Sequence, residues 1–323
     1  MTLPRKFDNY FEIKRLKPQN QGKRGTMQSK NYWGKVRRMM TKKWAKVFLI
    51  IGIFLVVSGG AWLWLNRGAT PSTKRVAGTY QTPTVFVHGF GGGYGSEKDM
   101  INDLSKHPGF RQVLRYTVTN TGQLSVSGSW SPSIRHPLIA VVFSSGRPDA
   151  STLDKILKQV KKRYGVKAFN AVGHSAGSTA WAEWSLMPDK KGTPALEKLI
   201  TIAGPFNGFP GMGGMNSGLD IKLASDGRPS TMSDRYKPMY EHRQYFPKTA
   251  AVLNLYGNLG KGSDGRVPVN SARSLRYLVT DRAKSYTERE ITNSKAQHSK
   301  LHEHNPLVNR YLYEFLSTGK INH

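Results

Sequence analysis

Two hydrophobic patterns divide the chain. From Val47 to Leu65, nineteen residues run without a charge, VFLIIGIFLVVSGGAWLWL. From Thr82 onward the apolar residues come instead in short bursts, alternately at strand and at helical spacing. The first pattern predicts a membrane-spanning helix, since at ~1.5 Å rise per residue it covers roughly 28 Å, close to the hydrocarbon thickness of a bilayer. Lys42, Lys43 and Lys46 precede the run and Arg67 follows it, and Trp44, Trp62 and Trp64 sit near its ends, where amphipathic rings favour the interface. The positive flank predicts a cytoplasmic N-terminus and an extracellular remainder. A core helix of a soluble domain seldom lacks any polar face over such a length. A cleaved signal peptide would have ~7–15 apolar residues after a short basic stretch, whereas here the longer run follows 46 residues. The expected organisation is a basic tail over 1–46, an anchor over 47–65, a polar linker over 66–81 and a folded domain over 82–323.

Within that domain, TVFVHGF (84–90) predicts a strand running into a glycine-rich turn. Ser96 is placed to cap a helix reaching about His107, with Met100, Ile101 and Leu104 on one face. Residues 113–129 alternate around Asn120–Gly122, the pattern of a hairpin. LIAVVFSS (138–145) predicts a buried strand, and Ser151 a capped helix carrying Leu153, Ile156, Leu157 and Val160. KAFNAVG (167–173) reads as a strand followed by a helix from about Ala176. Residues 196–205 and 250–257 add strands, and 286–292 alternates like an outer strand. Residues 305–316 predict a closing helix with Leu307, Tyr311, Leu312 and Phe315 inward. Residues 206–247 are irregular and glycine-rich, a candidate lid. Strands alternating with helices imply an α/β domain with a mostly parallel sheet covered on both faces, whose ligand sites lie at the carboxyl ends of the strands.

Candidate chemistry falls at those ends. Gly173-His174-Ser175-Ala176-Gly177 matches G-x-S-x-G, a strand-to-helix turn so tight that small residues are needed two positions either side of an outward-projecting serine. His88-Gly89-Phe90-Gly91-Gly92-Gly93 follows an apolar strand, and its backbone can lie open to a substrate. The backbone N–H groups of Phe90 and Ala176 are the candidate donors to an oxyanion. A serine hydroxyl needs a base within hydrogen-bond reach and an acid to orient that base. Asp264, in GSDGRVP after a strand, is the candidate acid, with Asp220, Asp226 and Asp234 as competitors in the irregular stretch. His298 is the candidate base, with His302 the alternative and His304 close by in HSKLHEHNP. His88 and His174 are expected to be structural.

Composition narrows the alternatives. With no cysteine, disulfides, thiolate metal sites and a cysteine nucleophile are excluded. Of the net charge of +29, residues 1–46 carry +12, from 14 Lys and Arg against Asp8 and Glu12, which leaves +17 on the rest. No nucleic-acid motif accompanies the basic tail, so a membrane-side tail is expected and no specific nucleic acid. Neither a dinucleotide fingerprint nor a P-loop is present.

Five segments, TVFVHGFGGG (84–93), GHSAGS (173–178), GPFNG (204–208), SDGRVPVNSA (263–272) and AQHSKLHEHNPLV (296–308), resemble a family of α/β-hydrolases of unknown physiological role, found as secreted or cell-surface proteins of Gram-positive bacteria and labelled DUF915. The resemblance covers about residues 80–318. It implies the α/β-hydrolase fold and a Ser–Asp–His triad falling on Ser175, Asp264 and His298. One departure stands out: the family pattern HSxLHENP carries an extra residue here, HSKLHEHNP. The expected activity is hydrolysis of a small-molecule or lipid carboxylic ester through an acyl-enzyme, without metal or organic cofactor. An anionic envelope polymer is a further candidate partner for the basic outer domain. The opposing expectation is a surface binding protein that keeps the fold without turnover.

Overall fold

The computed structural model describes residues 74–211 and 221–322, preceded by Lys46, Val47, residues 49–53 and Val56. The chain divides into two units, Met1–Asn66 and Arg67–His323. In the first, the described residues are helical and the side chains of Val47, Leu49, Ile50, Ile51, Ile53 and Val56 are exposed. Most of the expected span 47–65, the tail 1–45 and residues 66–73 lie outside the described residues. Among the described residues no helix is long and apolar enough to cross a membrane.

The second unit is built on one eight-stranded sheet: β1 (Thr84–Val87), β2 (Phe110–Val118), β3 (Leu124–Gly128), β4 (His136–Phe143), β5 (Ala168–His174), β6 (Ala195–Ile202), β7 (Ala251–Gly257) and β8 (Ser285–Ile291). Their order is β3-β2-β4-β1-β5-β6-β7-β8. Only the β2–β3 hairpin is antiparallel. Strands β1, β5 and β7 are buried along their whole length, which is why they read as largely apolar runs, with the buried Asn170 and Asn254 as polar exceptions. Edge strands β3 and β8 are mostly half-exposed and carry the polar alternation.

Side-chain alternation splits the core in two. Val85 and Val87 of β1 join one cluster, and Phe86 joins the other on the opposite face. The helices are α1 (Tyr94–Leu104), α2 (Ala150–Tyr164), α3 (Ala176–Ser185), the short α4 (Tyr236–Glu241), α5 (Val269–Arg273) and α6 (Leu275–Val279), and α7 (Pro306–Thr318). Leu153, Ile156, Leu157 and Val160 of α2 pack with Trp181 and Trp184 of α3 on the Val85 side. Met100, Ile101 and Leu104 of α1 pack with Val308, Leu312 and Phe315 of α7 on the Phe86 side. Leu307, expected inside, is only half-buried, because the helical stripe runs through Val308, Tyr311, Leu312 and Phe315.

Several local expectations are corrected. Helix α1 starts at Tyr94 with Gly93 as its N-cap, so Ser96 lies in its first turn and its N–H donates to Gly93 O (3.0 Å). Helix α2 is capped by Asp149, which accepts from Thr152 N–H (2.8 Å), while Ser151 only donates its hydroxyl to that carboxylate (2.8 Å). The linker ends before residue 81. Val76 N–H donates to Arg163 O (2.8 Å), and Tyr80 is buried edge-on against Trp130 and Tyr164. Aromatic burial outweighs the polar composition that made this stretch read as a spacer. The candidate lid is anchored at both ends: Phe206, Tyr236, Met239 and Phe246 are core residues, and residues 212–220 lie outside the described residues.

Asp149→Ala is expected to lower stability by about 1 kcal/mol in urea unfolding, as loss of an N-cap does, and Ser151→Ala by distinctly less.

Candidate active site

β1 sits between β4 and β5, so the chain leaves β1 toward one side of the sheet and later crosses to the other. Such a reversal opens a crevice at the carboxyl ends of the two central strands. The His88–Gly93 turn follows β1, and Ser175 follows β5.

Ser175 has φ 52° and ψ −116°, a conformation costing about 1–3 kcal/mol for a residue with a Cβ. Close packing holds it there. A Cβ on Gly173 would lie 2.5 Å from Gly177 C, and one on Gly177 would lie 2.2 Å from Val87 O. Ser175 N–H donates to Ile202 O (2.8 Å). Ser178 Oγ donates to Gly173 O (2.6 Å) and accepts from Ile202 N–H (3.0 Å), tying α3 to β5 and β6.

The loop after β7 supplies Asp264 and the segment after β8 supplies His298. His298 Nδ1 lies 2.8 Å from Asp264 Oδ2, and His298 Nε2 lies 3.0 Å from Ser175 Oγ. A carboxylate can only accept, so Nδ1 carries the proton and Nε2 is free to accept from the serine hydroxyl. Asp264 Oδ1 accepts from the N–H groups of Arg266 (2.9 Å) and Val267 (2.7 Å), and His298 N–H donates to Asp264 O (2.9 Å). Ser175, His298 and Asp264 are 9%, 5% and 1% exposed, so the chain of bonds is dry at its acidic end and reaches solvent at the hydroxyl.

The remaining histidines have other partners. His302 Nδ1 donates to Ser96 O (2.9 Å) and its ring lies against His174, with centroids 4.0 Å apart, so the alternative base is engaged elsewhere. His304 meets Asp99 at 3.2 Å and is exposed. It takes φ 47°, a left-handed turn just ahead of the Asn305 N-cap of α7. His88 Nδ1 donates to Gly89 O (2.7 Å) and its Nε2 accepts from Phe143 N–H (2.9 Å). His174 Nε2 donates to His298 O (3.1 Å). Burial pushes the imidazoles of His88 and His302 down. It pushes that of His174 well down, with His302 and His298 adding to the effect. Of the competing acids, Asp226 accepts from Arg228 N–H (2.9 Å), Asp234 pairs with Lys237, and Asp220 lies outside the described residues.

Above Ser175 a cavity of ≈ 700 Å³ opens, with Phe90, Ala176, His298 and His302 on its wall. Among the described residues the backbone N–H groups of Phe90 and Ala176 have no protein acceptor, whereas those of Gly91, Gly92 and Ser175 do. Sequence reasoning missed the residues that fix the walls. Asn207 accepts from Ser233 N–H (2.8 Å) and donates to Thr231 O (2.7 Å), and its own N–H donates to Ser271 Oγ (3.1 Å). The GPFNG and SDGRVPVNSA segments thus clasp each other, and their resemblance to family segments was the available signal. Arg147, Arg235 and Arg266 on the wall gave no signal of their own.

A mostly parallel sheet covered on both faces, with a serine on a strained turn at its switch point, defines an α/β-hydrolase. The chain belongs to the family described as alpha/beta hydrolase of unknown function (DUF915), whose sequence profile matches residues 71–318. It is similar to the structure of a Listeria innocua gene product, at 24% identity and a TM-score of 0.66, over 75% of this chain and 96% of that one. It is also similar to a Lactobacillus plantarum protein assigned as a cell surface hydrolase, at 24% identity and a TM-score of 0.60, over 74% of this chain and 91% of that one. At such identity the likeness is one of fold. No curated protein matches the chain.

The lowered His174 has a testable consequence for stability. An imidazole whose folded pKa lies below its ordinary 6.5 contributes stability that is full above pH 6.5 and is lost as pH falls through the folded value. The stability advantage of the wild type over His174→Gln should therefore shrink below pH 6.5, by up to ~1.4 kcal/mol per pH unit. Glu97, a buried carboxyl pushed well up by burial, acts in the opposite sense in both proteins and cancels from the comparison. Urea unfolding of the two proteins between pH 5 and 8 measures the difference.

Proposed function

We propose that the chain is a serine hydrolase that cleaves carboxylic esters through an acyl-enzyme. The observation that carries this reading is the continuous pair of hydrogen bonds from Asp264 Oδ2 through His298 to Ser175 Oγ, at 2.8 and 3.0 Å. In the first step the Ser175 oxygen attacks the ester carbonyl while His298 Nε2 takes its proton. Asp264 holds the imidazole in the required tautomer and stabilises the imidazolium. The unoccupied N–H groups of Phe90 and Ala176 receive the oxyanion. His298 then returns the proton to the leaving alcohol, and a water molecule, deprotonated by the same nitrogen, releases the acid. His88 and His174 act as fixed hydrogen-bonding struts beneath this chain rather than in it.

We further propose that the first unit anchors the hydrolase at the outer face of a membrane. The uncharged run Val47–Leu65 supports this, as does the exposure of its described helical residues. The +17 carried by residues 47–323 would favour an anionic surface, an envelope polymer included.

A fluorophosphonate probe is expected to label the wild type and not Ser175→Ala; absence of labelling in the wild type removes the enzyme reading. On 4-nitrophenyl esters, Ser175→Ala or His298→Ala should lower kcat/KM by ~10⁴-fold or more, and Asp264→Asn by about 10³–10⁴-fold. His302→Gln should retain most of the activity if His298 alone is the base. Deleting residues 47–65 should move the protein from the membrane fraction to the soluble one, and retention on the membrane would reject the anchor.

A further inference from the structure

Among the described residues, two arginines at the cavity mouth lack a counterion. Arg147 and Arg266 line the same cavity as Ser175 and His298. Among the described residues neither meets a carboxylate, whereas the third arginine of the wall, Arg235, is held by Glu183 at 2.7 Å. Glu303, the one acid among the lining residues, is paired with Lys300. The wall is therefore cationic beside the candidate nucleophile.

Both cations spring from backbone that is fixed to the reacting groups. Arg147 follows Gly146, whose carbonyl accepts from Gly91 N–H (2.8 Å) in the turn that carries Phe90. The two strands of chain approach so closely there that a Cβ on Gly146 would fall 2.8 Å from Gly91 Cα. The Arg147 N–H donates to Ser145 Oγ (3.2 Å), and its guanidinium lies over the Phe90 ring, 5.6 Å from the centroid. Arg266 N–H donates to the acid of the chain itself, Asp264 Oδ1 (2.9 Å). Both arginines are exposed to solvent. They share one concavity with the apolar walls of Pro148 and Val267, which concentrates their field where a substrate would lie.

We propose that Arg147 and Arg266 form an anion subsite, and that the substrate is an ester whose acyl or alcohol part carries a carboxylate or phosphate. The planar guanidinium fork suits either group, with two parallel hydrogen bonds to its oxygens. This rests on the ester-hydrolase reading, and deepens it by naming the substrate class.

The test compares 4-nitrophenyl hydrogen adipate with 4-nitrophenyl hexanoate, of equal chain length, and micellar lysophosphatidic acid with the matching monoacylglycerol. The expected kcat/KM ratio favours the anionic member by about tenfold at low salt, and falls toward one in 0.5 M salt and in Arg147→Gln/Arg266→Gln. The Arg→Lys double variant should keep part of the preference. Preference in the soluble pair assigns a free acid, and preference in the lipid pair a phosphate headgroup; either supports the subsite. A ratio near one in both pairs, or a ratio untouched by the double Gln variant, overturns it. Calorimetric binding of adipic acid mono-anilide to Ser175→Ala reads the subsite without turnover. Should neither ester be cleaved, binding that vanishes in the added double variant still upholds the anion subsite while the hydrolase reading fails. Absence of binding together with no arginine-dependent preference in either pair overturns the subsite.

Discussion

At the end of β5 the backbone must reverse into α3 within one residue, and the rest of the site depends on that reversal. The turn survives because α3 is pressed onto the sheet so tightly that Gly177 has room for no side chain beside Val87 O. The contact requires β1 and β5 to be neighbours, and so requires the strand order that places β1 at the centre of the sheet. The strain at Ser175 is offset by burying Trp181 and Trp184 of α3 against the sheet and α2. Stability of the core and exposure of one hydroxyl are here the same packing problem.

The second requirement is convergence. Asp264 lies 34 residues before His298, and Ser175 123 residues before it. They meet because parallel strands all end on one side of the sheet, so the loops after β5, β7 and β8 open into a common space. Hydrogen bonds from Arg266 and Val267 hold one carboxylate oxygen of Asp264 and leave the other for the imidazole. His174, its ring tilted against those of His298 and His302, adds a floor that is kept uncharged by burial. A charged imidazole there would oppose the imidazolium that the proposed acyl transfer would create at His298.

The motif segments of the family divide between these two tasks. GHSAGS and TVFVHGFGGG shape the strained turn and the backbone opposite it. GPFNG and SDGRVPVNSA meet through Asn207 and Ser271, which fixes the loop that presents Asp264 and Arg266. The segment read as a lid is therefore partly masonry. Its ends, from Phe206 to Asn207 and from Tyr236 to Phe246, belong to the body of the domain.

Much of this was legible along the chain. Strand and helix periodicities record burial on one or two faces, and that pattern is local, so all eight strands and the four longer helices α1, α2, α3 and α7 could be read in order, whereas the short helices α4, α5 and α6 were not. G-x-S-x-G was legible because its steric demand falls within five residues. Other features depended on where distant segments met. Asp149 rather than Ser151 caps α2 because the carboxylate, two residues earlier, reaches the free N–H of Thr152. Tyr80 joined the domain because Trp130 and Tyr164 were there to receive it. His298 and not His302 lies beside the Ser175 hydroxyl, and the second imidazole is taken by the carbonyl of Ser96, 206 residues away. Sequence fixes which side chains are available and how each short segment prefers to run. Which of several chemically equal groups faces the hydroxyl is settled by packing between segments that no local pattern connects.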